Sequence, residues 1–206
     1  MTHYAIDQHE LSAGELYRLL SGTICPRPIA WVATLDAQGR ANLAPFSFFN
    51  VASVDPPVLA FAPLLNGEGC AKDTVNNLAA VGECVVHVGS EDLIEALNAT
   101  SASLAPGEDE FDHAGLEKAE MPGVSVPRIK AAPVAFGCTL YDIVRFGDSP
   151  LAGALVLAQI KRIEVDERIW DGRHVDMETL KPTGRLAGND YVRITDRFVI
   201  ERPSQG

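Results

Sequence analysis

Ile29-Ala30-Trp31-Val32-Ala33-Thr34-Leu35-Asp36-Ala37-Gln38-Gly39-Arg40-Ala41-Asn42-Leu43-Ala44-Pro45-Phe46 is the stretch whose reading decides the fold. Pro26 and Pro28 forbid helix just before it. Ile29 to Leu35 then carries Trp31 and the β-branched Val32 and Thr34, a strand signature. Asp36-Ala37-Gln38-Gly39 is a turn signal, and the chain returns through Ala41 to Phe46, so the stretch predicts a β-hairpin.

Working outward, Phe48 to Val54 and Val58 to Ala62 predict further strands, as do Glu83 to Val88, Val134 to Phe146 and Ala154 to Val165. Gly147-Asp148-Ser149-Pro150 separates the last two, and Tyr191 to Ile194 and Phe198 to Ile200 close the chain. Helical signals are short. Ser12-Ala13-Gly14-Glu15 is a capping box leading into Leu16, Leu19 and Leu20. Asp73 or Thr74 is expected to cap a helix to Val81, Ser90 another to about Thr100, and Val175 to Leu180 gives a helical turn. Ser101 to Val126, rich in Gly, Pro and acids, predicts a long surface excursion. Many strands with few, short helices favour a mainly β molecule, a closed or partly closed antiparallel barrel with peripheral helices. A doubly wound parallel sheet would need crossover helices that are not here.

The chain has 206 residues, 47% hydrophobic and 22% charged, enough for a sizeable core. No linker interrupts it, so one domain over residues 1–206 is expected. A net charge of −11 argues against a nucleic-acid partner. The N-terminal residues lack the apolar run of a signal peptide, and no run approaches the roughly 20 apolar residues of a membrane helix. A cytoplasmic location without membrane contact follows as the expectation. Cys25, Cys70, Cys84 and Cys138 form no CxxC pair and are expected as free thiols.

Chemistry concentrates near the hairpin. Asn42-Leu43-Ala44-Pro45-Phe46-Ser47 offers small residues and a proline against which a planar ligand can lie, and Ser47 and Ser53 add hydroxyls. Lys72-Asp73-Thr74 follows Gly67 and Gly69 without the spacing of a Walker loop or a dinucleotide fingerprint. What remains is a lysine and a hydroxyl at a helix start, where open N–H groups favour an anion; an exposed lysine beside a helix cap is the alternative. A flat ring plus a phosphate describes flavin mononucleotide (FMN). Arg27, between two prolines, suits a further anion contact, whereas Phe46, Phe48 and Phe49 suit core or subunit interface. The histidines show no ligand spacing, so no metal is expected, and His87 predicts a satisfied barrel residue. No GxSxG marks a hydrolase, and Glu108-Asp109-Glu110 with Asp112 predicts a solvated acidic loop.

Taken in order, Cys25-Pro26-Arg27-Pro28-Ile29-Ala30-Trp31-Val32, Asn42 through Asn50, Asp55-Pro56-Pro57 and Lys72-Asp73-Thr74 resemble the flavin reductase-like family. The likeness continues through Asn98-Ala99-Thr100-Ser101, Asp109-Glu110-Phe111 and Gly184-Arg185-Leu186 to Tyr191. It implies an FMN-binding split β-barrel, six-stranded, antiparallel and Greek-key-like, forming a homodimer with FMN near the interface. By position, Asn42, Leu43, Ala44, Pro45, Phe46, Ser47 and Ser53 would line the ring and ribityl chain. Lys72, Asp73 and Thr74 would hold the phosphate, with Arg27 nearby. Asn98, Thr100, Ser101, Phe111, Arg185 and Tyr191 are candidates for the substrate side or the partner-subunit wall.

The expected activity is hydride transfer from NADH or NADPH to FMN, with electrons passed to an oxygenase or another acceptor. The cofactor carries that chemistry, so no catalytic side chain is assigned. Backbone N–H groups near residues 44 to 47 are expected to stabilise the reduced ring. A flavin-dependent electron carrier that ignores nicotinamides, a non-enzymatic flavin-binding module and a purely structural dimer are the other readings.

Overall fold

A computed structural model describes residues 3–104 and 108–203. After a 3-10 turn at Gln8–Glu10 come α1 (Ala13–Thr23), β1 (Arg27–Pro28), β2 (Ala30–Leu35), β3 (Ala41–Phe46), β4 (Phe49–Val54) and β5 (Pro57–Phe61). Next are α2 (Asp73–Val81), β6 (Glu83–Val88), a 3-10 turn at Glu91–Leu93, α3 (Ile94–Ala99) and α4 (Glu110–His113). The chain ends with β7 (Lys118–Ala119), β8 (Arg128–Ile129), β9 (Val134–Arg145), β10 (Ala154–Val165), α5 (Met177–Leu180), β11 (Thr183–Arg185) and β12 (Tyr191–Arg193).

One seven-stranded antiparallel sheet, in the order β3-β2-β6-β9-β10-β5-β4, dominates, one strand more than the six expected. Its two edge strands, β3 and β4, are consecutive in sequence and separated only by Ser47 and Phe48. So short a link forces the sheet to curl until its edges meet. At the meeting point the Phe46 ring of β3 stacks on the Phe61 ring of β5, the neighbour of β4, at 5.7 Å. Because β3 and β4 do not pair, the barrel is split there.

Period-two alternation sorts the side chains. Ala30, Val32, Leu59, Phe61, Cys84, Val86, Cys138, Val156 and Ala158 pack inside the barrel with Val75 and Leu78 of α2. The other face of β2 and β6 carries Trp31, Ala33 and Val85 and is covered by Leu97, Phe111, Met121, Val126 and Ile129. β2 is thus buried on both faces, which is why Ala30 to Leu35 is almost continuously apolar. His87 is fully buried: its Nδ1 lies 2.9 Å from Trp31 C=O and its Nε2 accepts from Ile129 N–H at 2.9 Å. These partners make Nδ1 the protonated nitrogen of a neutral ring. Burial above all, opposed by the Trp31 carbonyl and aided by Arg128, lowers its pKa to about 4.

Four expectations change. The excursion over 101–126 is not merely surface, because α4 and β7 lie within it and Phe111, Met121 and Val126 seal the outer core. The helix expected from Ser90 is broken into the 3-10 turn and α3; Ser90 caps nothing with its side chain and bridges to Pro182 instead. The cap of α2 is Lys72 rather than Asp73 or Thr74. Phe198 to Ile200 forms no strand and is exposed, its apolar side chains packed on none of the three core clusters. Among the described residues, no helix is long and apolar enough to cross a membrane.

Candidate functional site

A cleft of about 1020 Å³ opens beside β3 and the start of α2. Asn42, Ala44, Pro45 and Phe46 form one wall, Lys72, Asp73 and Thr74 another, and Thr100, Ser101 and Glu110 reach it from the outer cover. A second cleft of about 440 Å³ shares Pro45, Phe46 and Lys72 and adds Tyr17, Ser47, Phe48 and Leu64. The ridge Pro45-Phe46 with Lys72 therefore separates two connected hollows.

The start of α2 has the chemistry to hold an anion. No side chain caps it, and while the Val75 N–H donates to Lys72 C=O at 2.9 Å, the N–H groups of Asp73 and Thr74, both on the cleft wall, stay open. Lys72 makes no ion pair among the described residues. The other cations on the cleft are already engaged, Arg40 by Asp36 at 2.6 Å and Lys118 by Asp109. The Asp36 carboxyl is held below its usual range, first by the Arg40 N–H and then by the Arg40 guanidinium and Gln38 N–H.

Below the cleft runs a polar network. Thr74 Oγ1 donates to Asn42 Oδ1 at 3.0 Å, and Asn77 Nδ2 donates to Thr34 Oγ1 at 3.0 Å. Asn42 Nδ2 donates to one Glu110 oxygen at 2.9 Å, and Leu43 N–H to the other at 3.0 Å. Glu110, expected in a solvated acidic loop, instead ties the outer cover to β3. Thr74 is buried and its hydroxyl hydrogen turns inward, so its contribution at the cleft is its backbone N–H.

Leu43 N–H points away from β2, because Glu110 receives it. With a period of two, Pro45 and Ser47 face the same way, and Ala44 and Phe46 turn their N–H groups into the ladder with β2. Pro45 has no N–H to offer. Of the expected 44–47 donors, Ser47 alone remains to meet a ligand.

The remaining sequence candidates scatter. The Leu43 side chain is buried in the outer core, and Ser53 sits on β4 opposite Val58, lining neither cleft. Arg27 is buried and donates to the carbonyls of Ser21, Ile24 and Leu186 and to Ser47 Oγ. Thr100 Oγ1 accepts from Trp31 Nε1 and donates to Leu97 C=O, both at 2.8 Å. Phe111 is wholly buried, with the Lys118 ammonium 5.3 Å from its ring centre. Tyr191 O–H donates to Asn98 Oδ1 at 3.2 Å, and Arg185 stacks over Tyr191 at 4.4 Å, away from both clefts. Sequence reasoning missed Glu110 and Asn77 as parts of the site. The carboxylate beside the Asp109 helix cap was a signal for the first, and nothing marked the second.

Comparison with known proteins adds a family. The model of the flavin reductase like domain matches residues 21–176. The uncharacterized protein YwrF of Bacillus subtilis is 43% identical over 205 residues, which span 98% of this chain and 100% of that one. Among solved structures, nitrilotriacetate monooxygenase component B from Bacillus cereus superposes with a TM-score of 0.93 at 34% identity, covering 97% of this chain and 100% of that one. The 2-nitrobenzoate 2-nitroreductase NbaA of Pseudomonas fluorescens gives 0.88 at 30% identity, covering 98% and 97%.

Proposed function

The chain belongs to the flavin reductase like domain family, and from that premise we propose that it binds FMN and takes hydride from NADH or NADPH. The observation that carries the reading is the unpaired Lys72 at the open start of α2, facing the same cleft as Ala44-Pro45-Phe46. A phosphate suits the first and a flat ring the second, and the cleft has the size of a cofactor site. When bound, FMN supplies acceptance of a hydride from a nicotinamide and release of the electrons to a further acceptor.

Each residue has a part in this. Lys72 and the first-turn N–H groups of Asp73 and Thr74 hold the phosphate. Glu110 and Asn42 fix β3 against α2, so that ring and phosphate sites keep their spacing. A ring laid over the Pro45-Phe46 ridge, which both clefts share, would meet the N–H and hydroxyl of Ser47 on the side of the second cleft, where negative charge grows, while Pro45 and Phe46 exclude water from one side. The likeness to a monooxygenase component B favours an oxygenase as the acceptor of the electrons. A homodimer with FMN near its interface accompanies the reading, supported by the exposed Val51 and Val54 on β4.

The test is a visible absorption spectrum of the protein with FMN, taken anaerobically before and after NADH or NADPH. Bleaching of the flavin band is the expected result. A bound flavin that stays oxidised would move the function to an electron carrier or a binding module.

A further inference from the structure

Among the described residues, Arg27 is the only lysine or arginine that the fold buries, with 6% of its surface exposed. Its guanidinium donates to the carbonyls of Ser21, of Ile24 at 2.8 Å and of Leu186 at 2.9 Å. Its Nε donates to Ser47 Oγ at 3.3 Å, and its charge stands 5.8 Å from the centre of the Phe48 ring. These oxygens take four of its five N–H groups, yet none carries the negative charge that would neutralise it. No Asp or Glu pairs with it among the described residues. A buried charge without a counterion is costly. A brace between loops needs donors but not a fixed charge, so the uncompensated cation calls for an anion that the fold does not itself supply.

Ser47 connects that charge to the second cleft, whose wall it forms between Phe46 and Phe48. Because Ser47 Oγ accepts from Arg27, its own hydrogen is free to be donated elsewhere. The guanidinium polarises the hydroxyl and strengthens it as a donor. A group at this wall that gains negative charge is stabilised by both; one that stays neutral is stabilised far less.

We infer that Arg27 is a positioning residue which, through Ser47, favours reduced over oxidised FMN. The inference rests on the flavin-binding reading above. Hydride transfer adds two electrons and one proton to the ring, hence one negative charge, and leaves the nicotinamide with one positive charge more. The phosphate is held by Lys72, so the charge that Arg27 faces is the ring's.

Dissociation constants for oxidised FMN, and anaerobically for dithionite-reduced FMN, test this through their ratio. Arg27→Gln is expected to shift the ratio against the reduced form by about tenfold. For a two-electron couple that equals a potential about 30 mV more negative. Ser47→Ala shifts it the same way, and Ser47→Thr, which keeps the hydroxyl, restores it. An unchanged ratio in both Arg27→Gln and Ser47→Ala overturns the inference. Equal weakening of both redox forms overturns it as well and gives Arg27 to the phosphate. Should Arg27→Gln lose the fold with its carbonyl partners, the Ser47→Ala and Ser47→Thr pair decides alone. An unaltered protein that binds neither form defeats the flavin reading itself, a different failure from a wild-type ratio in the variants.

Discussion

Among the described residues Lys72 is the one cation on the cleft outside an ion pair, in a chain of net charge −11, so an anion here depends on one side chain and one helix end. Lys72→Ala leaves no buried partner behind, and the fold should survive it. The expected cost is about 1.5–3 kcal/mol of FMN binding, roughly ten- to a hundredfold in Kd. A fluorescence titration that finds the Kd unchanged would remove the phosphate from this position. His87 gives a second prediction, about pH. Its folded pKa of about 4 lies below the ordinary value of 6.5, so the unfolded chain takes up the proton first as pH falls. Stability is full above pH 6.5 and declines down to about pH 4, by about 3 kcal/mol in total. In melting curves over that range, His87→Gln should flatten this part of the acid slope; an unaltered slope would reassign it to other groups. At this scale the sequence disclosed His87, which sits in a β-branched run where only a satisfied histidine fits. It did not disclose that the Thr74 hydroxyl faces inward, because each helical step turns a side chain by about 100° and no apolar stripe in so short a helix fixes the phase.

Among the elements, the hairpin was legible because a turn signal and a run rich in aromatic and β-branched residues agree. The cover between α3 and β8 was not, since Phe111, Met121 and Val126 stand singly among acids and prolines with no period. The acidic run hid a second feature: Asp109 caps α4 through Phe111 N–H while Glu110 turns inward to β3. Glu110→Ala would leave the Leu43 N–H and the Asn42 amide without acceptors, at about 1–3 kcal/mol. Chemical denaturation should register that loss, and FMN binding should weaken with it because Asn42 then no longer fixes Thr74. Unchanged stability would mean that water replaces the carboxylate without cost. At the other end, Ser12→Ala breaks the capping box of α1. Most of α1 is exposed, so the loss of about 1 kcal/mol should show as fraying of the helix in hydrogen exchange, with little change in global unfolding.

For the molecule as a whole, the run from β3 straight into β4 was visible as a sequence, but its meaning was not. Only the strand order shows that these neighbours are opposite edges of one sheet, and no local signal encodes strand order. The count of six strands came from the family resemblance; the sheet has seven, and each of the seven was readable as a run in the sequence. Val54 on β4 is 84% exposed, an apolar side chain that a second copy of the chain would cover. Val54→Asp should convert a dimer to monomers in light scattering and weaken FMN binding; a variant still dimeric would place the interface elsewhere. The four cysteines finally divide into two kinds. Cys25 and Cys70 are exposed, whereas Cys84 and Cys138 face each other across β6 and β9 inside the barrel. Cys84 is held in its protonated form, first by hydrogen bonding with Cys138 and then by burial. An alkylating reagent consumes thiolates, so its uptake should run in two phases, the outer thiols at once and the inner pair only as fast as the walls part. The slow phase is a stopwatch for breathing of the barrel, readable without any introduced label, and a tightly held ligand should slow it.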